Sequence, residues 1–128
     1  PLNRLAAERW LRALVVERPG LVGARSLRPV DPPISRDNVK DATPAPALGE
    51  SEDGTPVVVV CSAGIDLDLV PGAADARGWH APEARLVLVV PERDDHPVTR
   101  TLAAALARPA EIVAVAGDWR AALARPVA

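Results

Sequence analysis

The strongest strand signal in this chain is Thr55-Pro-Val-Val-Val-Val-Cys-Ser-Ala-Gly-Ile-Asp-Leu-Asp-Leu-Val70, which also holds its only cysteine. Valine is β-branched and stiff at χ1, which favours extended backbone. Four consecutive valines bounded by Pro56 and Gly64 form an apolar run that is short for a helix and typical of a strand buried on both faces. We therefore expect helices above and below the sheet that contains this strand.

Length and composition indicate one small domain. A chain of 128 residues, 48% of them hydrophobic, can bury a core without disulfides or metals, so we predict a single α/β domain over residues 1–128. No stretch approaches the roughly 18 apolar residues of a membrane span, and no signal peptide is visible, which favours a cytoplasmic protein with no membrane partner. Because the chain begins at Pro1 and contains no methionine, we expect it to be a trimmed piece of a longer protein.

Charge is distributed unevenly along the chain. Residues 1–40 hold eight basic and four acidic side chains, and the remainder carries a net charge of −6. Arg4, Arg9 and Arg12 of the first predicted helix are the candidate contacts for nucleic acid or for a protein partner. A solvated helix face explains the same excess. The prediction favours a protein partner, or self-association as a homodimer, over nucleic acid.

The first half of the chain predicts a helix, a weak strand and a long loop. Asn3 can cap an amphipathic helix from about Arg4 to Val16, and Pro19-Gly20 ends it. Residues 21–30 predict one edge strand that the following prolines stop. Residues 31–56 contain five prolines and an acidic run, which predicts a Pro-rich flexible loop.

After the valine strand, the order strand, acidic turn and helix occurs three times. Strands at about 86–90 and 112–116 lead into helices at about 96–107 and 119–124, with acidic residues at the turns as expected caps. The expected caps are Asp68, Asp95 and Asp118. A rival interpretation pairs residues 57–61 with residues 65–70 as a hairpin, because apolar and acidic residues alternate there; we favour a helix at about 69–78.

Right-handed crossovers would join these strands into a parallel sheet. The predicted fold is therefore an α/β three-layer sandwich with a mostly parallel sheet, in the order β-α-β-α-β-α after an N-terminal helix. Trp10, Trp79 and Trp119 are expected to pack the helices against this sheet.

This order is shared by Rossmann-like folds and by the restriction-endonuclease-like fold of the PD-(D/E)xK group. The segments Glu17-Arg-Pro-Gly-Leu21 and Pro29-Val-Asp31 resemble that group's approach to its first acidic residue. Residues 53–60, Asp-Gly-Thr-Pro-Val-Val-Val-Val, resemble the strand that carries its second motif. The chain thus resembles the nuclease domain of the mismatch-specific endonucleases and RecB-type nucleases.

The resemblance implies hydrolysis with Mg or Mn, in which carboxylates hold the cation and a lysine orients water or charge. The family's Glu-x-Lys falls on Val59, Val60, Cys61 and Ser62, so the active-site motif is not retained on this alignment. An alternative alignment also lacks the lysine. It uses Asp66, Asp68, Glu92 and Asp94, with Glu8 from the first helix.

These acidic residues are the candidate catalytic and metal-binding set, since most of them follow strand ends. Parallel strand ends share one edge of a sheet, where open α/β folds bind ligands. Helix capping explains Asp68, as it does Asp95 and Asp118. It leaves Asp66, Glu92 and Asp94 unexplained.

Two other chemistries are not expected. Cys61-Ser-Ala-Gly64 resembles the opening of the protein tyrosine phosphatase loop, but that chemistry needs an arginine six residues after the thiolate, and Leu67 stands there. Cys61 is instead expected to be a small buried residue at a strand end. No Gly-x-Gly-x-x-Gly fingerprint is present, and His80 and His96 are isolated, so no cofactor is expected.

The sequence therefore predicts a non-catalytic binding or interaction domain with a degenerate nuclease-like or Rossmann-like fold. The alternative is a divergent metal-dependent nuclease or hydrolase that uses the carboxylates at the edge of the sheet.

Overall fold

A computed structural model describes residues 2–32, 44–66 and 68–123, with side chains described from Ala7 to Ala121. The helices are α1 (Leu2–Glu17), α2 (Leu69–His80), α3 (Pro97–Ala105) and α4 (Trp119–Leu123), and the strands are β1 (Ala24–Pro29), β2 (Ala45–Ser51), β3 (Pro56–Cys61), β4 (Arg85–Pro91) and β5 (Glu111–Val115). Short 3-10 helices cover Pro19–Val22 and Glu92–Asp94. Within these ranges, no helix combines the length and the apolar character that a membrane span needs.

The five strands form one mixed sheet in the order β1-β2-β3-β4-β5. The pairs β1–β2 and β2–β3 are antiparallel, and β3–β4 and β4–β5 are parallel. The predicted mostly parallel sheet is therefore wrong in its first half, because residues 52–55 join β2 to β3 by a turn too short for a parallel crossover. The strand order never reverses as it does in a doubly wound Rossmann sheet.

The valine strand β3 is buried on both faces, as the sequence predicts. Val57, Val59 and Cys61 belong to the apolar cluster that contains residues of α1 and α4, and Val58 and Val60 belong to the cluster that contains residues of α2 and α3. Every one of these side chains is at most 2% exposed. The helix expected after Asp68 is present as α2, so the hairpin alternative is wrong.

The predicted loop at 31–56 is wrong from residue 45, where β2 begins; residues 33–43 lie outside the described part of the chain. Pro46 is buried within β2, next to Val30, and has no N–H to offer the Val30 carbonyl. Arg12 donates to that carbonyl at 3.1 Å and to the Pro46 carbonyl at 3.2 Å. Arg12 of α1 thus supplies the Val30 carbonyl with the hydrogen-bond donor that Pro46 of β2 lacks.

Two of the expected helix caps differ in the structure. Asp68 occupies the N-cap position of α2, yet its side chain makes no capping hydrogen bond. At α3 the cap is His96, whose Nδ1 accepts from the Val98 N–H at 3.1 Å. Asp95 instead forms an ion pair with Arg100, and the hydrogen bonds from that guanidinium lower the pKa of the Asp95 carboxyl.

Only one tryptophan has the core role that the sequence predicts. Trp119 is buried at 3% exposure, whereas Trp10 and Trp79 are 53% and 64% exposed. The buried stripe of α1 follows the spacing i, i+4, i+7 and i+8, which excludes Trp10 from the core. That stripe consists of Ala7, Leu11, Leu14 and Val15.

Candidate functional site

The loop that leaves β3, Ser62–Gly64 (the β3 exit loop), is held by three consecutive backbone N–H groups. Each of them donates to a different element of the fold: to β4, to α1 and to the 3-10 helix after β4. The bonds run from Ser62 N to Val89 O (3.0 Å), from Ala63 N to Glu8 Oε2 (3.3 Å) and from Gly64 N to Asp94 Oδ2 (2.8 Å). Two carboxylates distant in sequence therefore bind adjacent amides of one loop.

Glu8 is the most unusual of these groups, because its side chain is completely buried. Carboxylates are rarely found inside proteins unless hydrogen bonds or opposite charges compensate the loss of water. Position 8 lies one turn after the start of α1, on the same stripe as the buried Leu11 and Val15. The helix thereby carries an acidic group into the end of the sheet, next to the β3 exit loop.

Cys61 lies at the end of β3 and is fully buried, so the sequence prediction of a buried strand-end cysteine is confirmed. Burial raises the pKa of the Cys61 thiol; the positive charge of Arg12 opposes this, and the negative charge of Glu8 adds to it. The thiol is therefore protonated at neutral pH. The three amides after it donate to the Val89 carbonyl and to the Glu8 and Asp94 carboxylates instead of forming an anion cradle, which argues against phosphatase chemistry.

We expect Cys61 to resist thiol reagents in the native protein. A buried, protonated thiol reacts through transient opening, so labelling by an aromatic disulfide reagent at neutral pH should be slower than in urea by at least about a thousandfold. Stopped-flow absorbance measures both rates, and Ser26→Cys in a Cys61→Ser background is the control, because this exposed thiol should react at close to its rate in urea. Labelling of native Cys61 at the unfolded rate would show that the strand end is open to solvent.

The structure does not gather the predicted acidic set into a metal site. Asp66 Oδ1 accepts from the Asp68 N–H at 2.9 Å, and Asp94 is bound to Gly64, while the Asp68 and Glu92 side chains are exposed. In the part of the chain that the structure describes, no three His, Cys, Asp or Glu side chains come together as metal ligands. The sequence predicted that Asp66 and Asp94 follow strand ends. In the structure, the β3 exit loop and the 3-10 helix after β4 meet where Asp94 binds the Gly64 N–H.

Of the three arginines predicted as contacts on α1, the structure describes the side chains of two, Arg9 and Arg12. Arg12 is partly buried and donates to the carbonyls of Val30 and Pro46, so it holds β2 instead of facing a partner. Arg9 is exposed, and the side chain of Arg4 lies outside the described residues. The one sequence signal for this role is Pro46, because a proline within a strand leaves a neighbouring carbonyl without its backbone donor.

Two cavities flank the sheet. One, of about 390 Å³, lies over β1 and β2 beside the end of α2, and its lining includes Arg28, Leu48 and Ala81. The other, of about 230 Å³, lies between α1, β5 and α4, and its lining includes Leu21 and Val113. Neither cavity is lined by the four predicted acidic residues.

Comparison with known proteins identifies a fold and no family. No family model and no curated protein matches this chain. Two solved structures do match: EndoMS in its apo form, with TM-score 0.52 and 16% identity, and an EndoMS–dsDNA2 complex, with TM-score 0.51 and 18% identity. The fold of this chain resembles that of EndoMS.

The likeness to EndoMS covers 85% of this chain in both comparisons, but only 46% and 44% of the two EndoMS chains. The chain thus spans less than half the length of the structures it matches. At this identity the likeness concerns the fold alone. It supports the sequence-based resemblance to restriction-endonuclease-like domains at that level.

The nuclease resemblance implies a divalent cation, and the residues at the aligned position do not fit one. Mg²⁺ and Mn²⁺ take oxygen ligands. At the end of β3, Val59 and Cys61 face the cluster with α1, Val60 faces the opposite cluster, and all three are at most 2% exposed. Ser62, the last residue of the aligned position, is buried as well and offers only a hydroxyl, so the position holds no carboxylate and has no open face toward solvent.

Proposed function

We propose that this chain is a non-catalytic binding domain built on a nuclease-like fold. The observation that carries the proposal is the end of β3, where the position aligned with the nuclease Glu-x-Lys is filled by Val59, Val60, Cys61 and Ser62, all buried and none a carboxylate. A metal-dependent hydrolase needs carboxylates and a water molecule at an accessible cation. Here the same position belongs to the apolar core.

The polar groups around this position support the same reading. Glu8 binds the Ala63 N–H, Asp94 binds the Gly64 N–H, and Arg12 binds two backbone carbonyls. Each of these bonds joins elements that are distant in sequence. We infer that charges which could serve catalysis stabilise the junction of α1, β3 and β4 in this chain.

We expect no cleavage of DNA by the purified chain. Mismatched duplex, single-stranded and supercoiled DNA, incubated with Mg²⁺ or Mn²⁺, should remain intact on a gel at the level of the buffer control, and calorimetry should detect no metal binding. Asp94→Asn and the exposed Asp75→Asn are the matched variants. Cleavage that Asp94→Asn abolishes and Asp75→Asn retains would contradict the proposal.

A second candidate is a divergent metal-dependent nuclease or hydrolase that uses Asp66, Asp68, Glu92 and Asp94 with Mg or Mn. The observation that favours it is the meeting of two loops at Gly64, where Asp94 is bound and Asp66 follows two residues later. The gel assay above separates the two candidates. Metal-dependent cleavage that is lost in Asp68→Asn would establish the second.

The class of partner is inferred from the charges that remain exposed on α1. With Arg12 engaged inside the fold, the described part of α1 retains Arg9 as an exposed cation from the predicted set, which weakens the case for phosphate contact. We infer a protein partner or a second copy of the chain. Nucleic acid, which one EndoMS structure contains, is the other class to test.

A further inference from the structure

The two edges of the sheet are built differently. The β1 edge has the features with which natural proteins prevent edge-to-edge pairing. Its register shifts between Ala24 and Ser26, it carries Arg28 in addition to Arg25, which forms an ion pair with Glu50 of β2 at 3.5 Å, and it ends at Pro29. An added strand would meet charge, an irregular ladder and a missing N–H at this edge.

The β5 edge has none of these features. Its sequence, Glu111-Ile-Val-Ala-Val115, contains no proline and no basic residue, and its ladder with β4 is regular. Its one charge is neutralised, because Arg85 binds both carboxylate oxygens of Glu111 at 2.8 and 3.0 Å. Arg85 is fixed in turn by the Ser51 hydroxyl at 2.7 Å.

An apolar cavity adjoins this edge. The cavity of about 230 Å³ between α1, β5 and α4 is lined by Leu14, Val113, Val115 and Trp119, together with Leu21, which is 44% exposed. Val113 belongs to the strand and is only half-buried. A strand added beside β5 would extend the wall of this cavity and cover Val113.

We propose that β5 is a self-pairing edge, at which two copies of the chain associate through antiparallel β5 strands about a two-fold axis at Val113. Because each copy has five strands, the pair would form one continuous sheet. The inference goes beyond the proposed binding role by naming a second copy as the partner. It stands or falls independently of whether the chain cleaves DNA.

The sequence of β5 suits its own copy in this register. Val113 lies opposite Val113, Ile112 opposite Ala114, and Glu111 opposite Val115, so no like charges face each other within the strands.

Symmetric cysteine cross-linking tests this register. Directly opposed residues of antiparallel strands have Cα atoms about 4.5–5.5 Å apart, within disulfide range, whereas diagonal neighbours are about 7–8 Å apart. Val113→Cys should therefore form a disulfide dimer under mild oxidation at least about tenfold faster than Ile112→Cys. Leu27→Cys on β1 is the control for the other edge, and native Cys61 is buried.

Charge at the edge supplies the second test. Val113→Lys places two ammonium groups opposite each other and should raise the dissociation constant of the dimer, measured by analytical ultracentrifugation, by at least about tenfold. Leu27→Lys, at an equally half-buried position of β1, should leave it unchanged, and circular dichroism verifies that both variants fold. A wild-type chain that is monomeric at every concentration, or cross-linking of Ile112→Cys or Leu27→Cys as fast as Val113→Cys, would overturn the proposal.

Discussion

Replacing Glu8 with alanine is expected to lower the free energy of unfolding by about 3 kcal/mol, although Glu8 is an acidic residue on a helix. Removing the side chain leaves the buried Ala63 N–H without the Glu8 acceptor, a loss of about 1–3 kcal/mol. The vacated space adds a cavity cost similar to that of a buried aliphatic truncation, about 2–5 kcal/mol. Relief from burying a carboxylate offsets part of the sum.

Urea unfolding followed by circular dichroism measures this effect, and two variants separate its causes. Glu8→Gln keeps the volume and a carbonyl acceptor, so it should cost less than half as much as Glu8→Ala. Glu17→Ala removes an exposed glutamate from the same helix and should change stability by no more than about 0.5 kcal/mol. If Glu8→Ala were as mild as Glu17→Ala, Glu8 would not hold the β3 exit loop.

The central strands could be predicted from sequence because their signal is local. The valine run at 57–60 and the Leu/Val run at 86–90 are bounded by turn residues, and burial on both faces requires every position to be apolar. The helices α2 and α3 also begin close to their predicted positions. In these segments the local preference and the tertiary environment agree.

β2 could not be predicted because the features that permit it are distant in sequence. Pro46 indicates a loop when read alone, and its strand conformation relies on Arg12, which is 34 residues away. Gly49 likewise indicates a break in a strand, yet it lies where β1 and β2 pair. Local propensity therefore favoured the wrong state for residues 45–51.

For the candidate site, the sequence predicted that Asp66 and Asp94 follow strand ends at one edge of the sheet. The structure shows that Asp94 binds the Gly64 N–H of the β3 exit loop. What the sequence does not show is the group that each carboxylate binds. Glu8 and Asp94 bind backbone amides, a role that depends on how α1 and the turn after β4 pack against the β3 exit loop.

In the proposed binding domain, the buried Glu8 carboxylate serves the fold instead of a metal ion. A buried carboxylate stays costly unless it has partners, so a catalytic acid that loses its metal needs a new donor or must be replaced. In this chain Glu8 has such a donor in the Ala63 amide, and apolar side chains fill the end of β3.

Gly49→Ala is the second substitution expected to have a large effect, with a loss of about 3 kcal/mol. A Cβ at position 49 would collide with the Ser26 carbonyl oxygen and lie 2.7 Å from the Ser26 carbonyl carbon and 2.9 Å from Leu27 Cα. All three are backbone atoms, so no side-chain rotation can relieve the contact. β1 must move away from β2, and its ladder must weaken.

Gly72→Ala in α2 is the matched control, since a Cβ there meets nothing within 4 Å. Alanine is the better helix former, so this variant should be more stable than the wild type by about 0.5–1 kcal/mol. Urea unfolding measures both changes, and hydrogen exchange at Arg28 and Val30, whose N–H groups face β2, reports on the β1 ladder, where Gly49→Ala should lose protection first. A neutral Gly49→Ala with full protection of those amides would mean that β1 does not pack on β2 at this distance, and the contrast between the two sheet edges would then lose its basis.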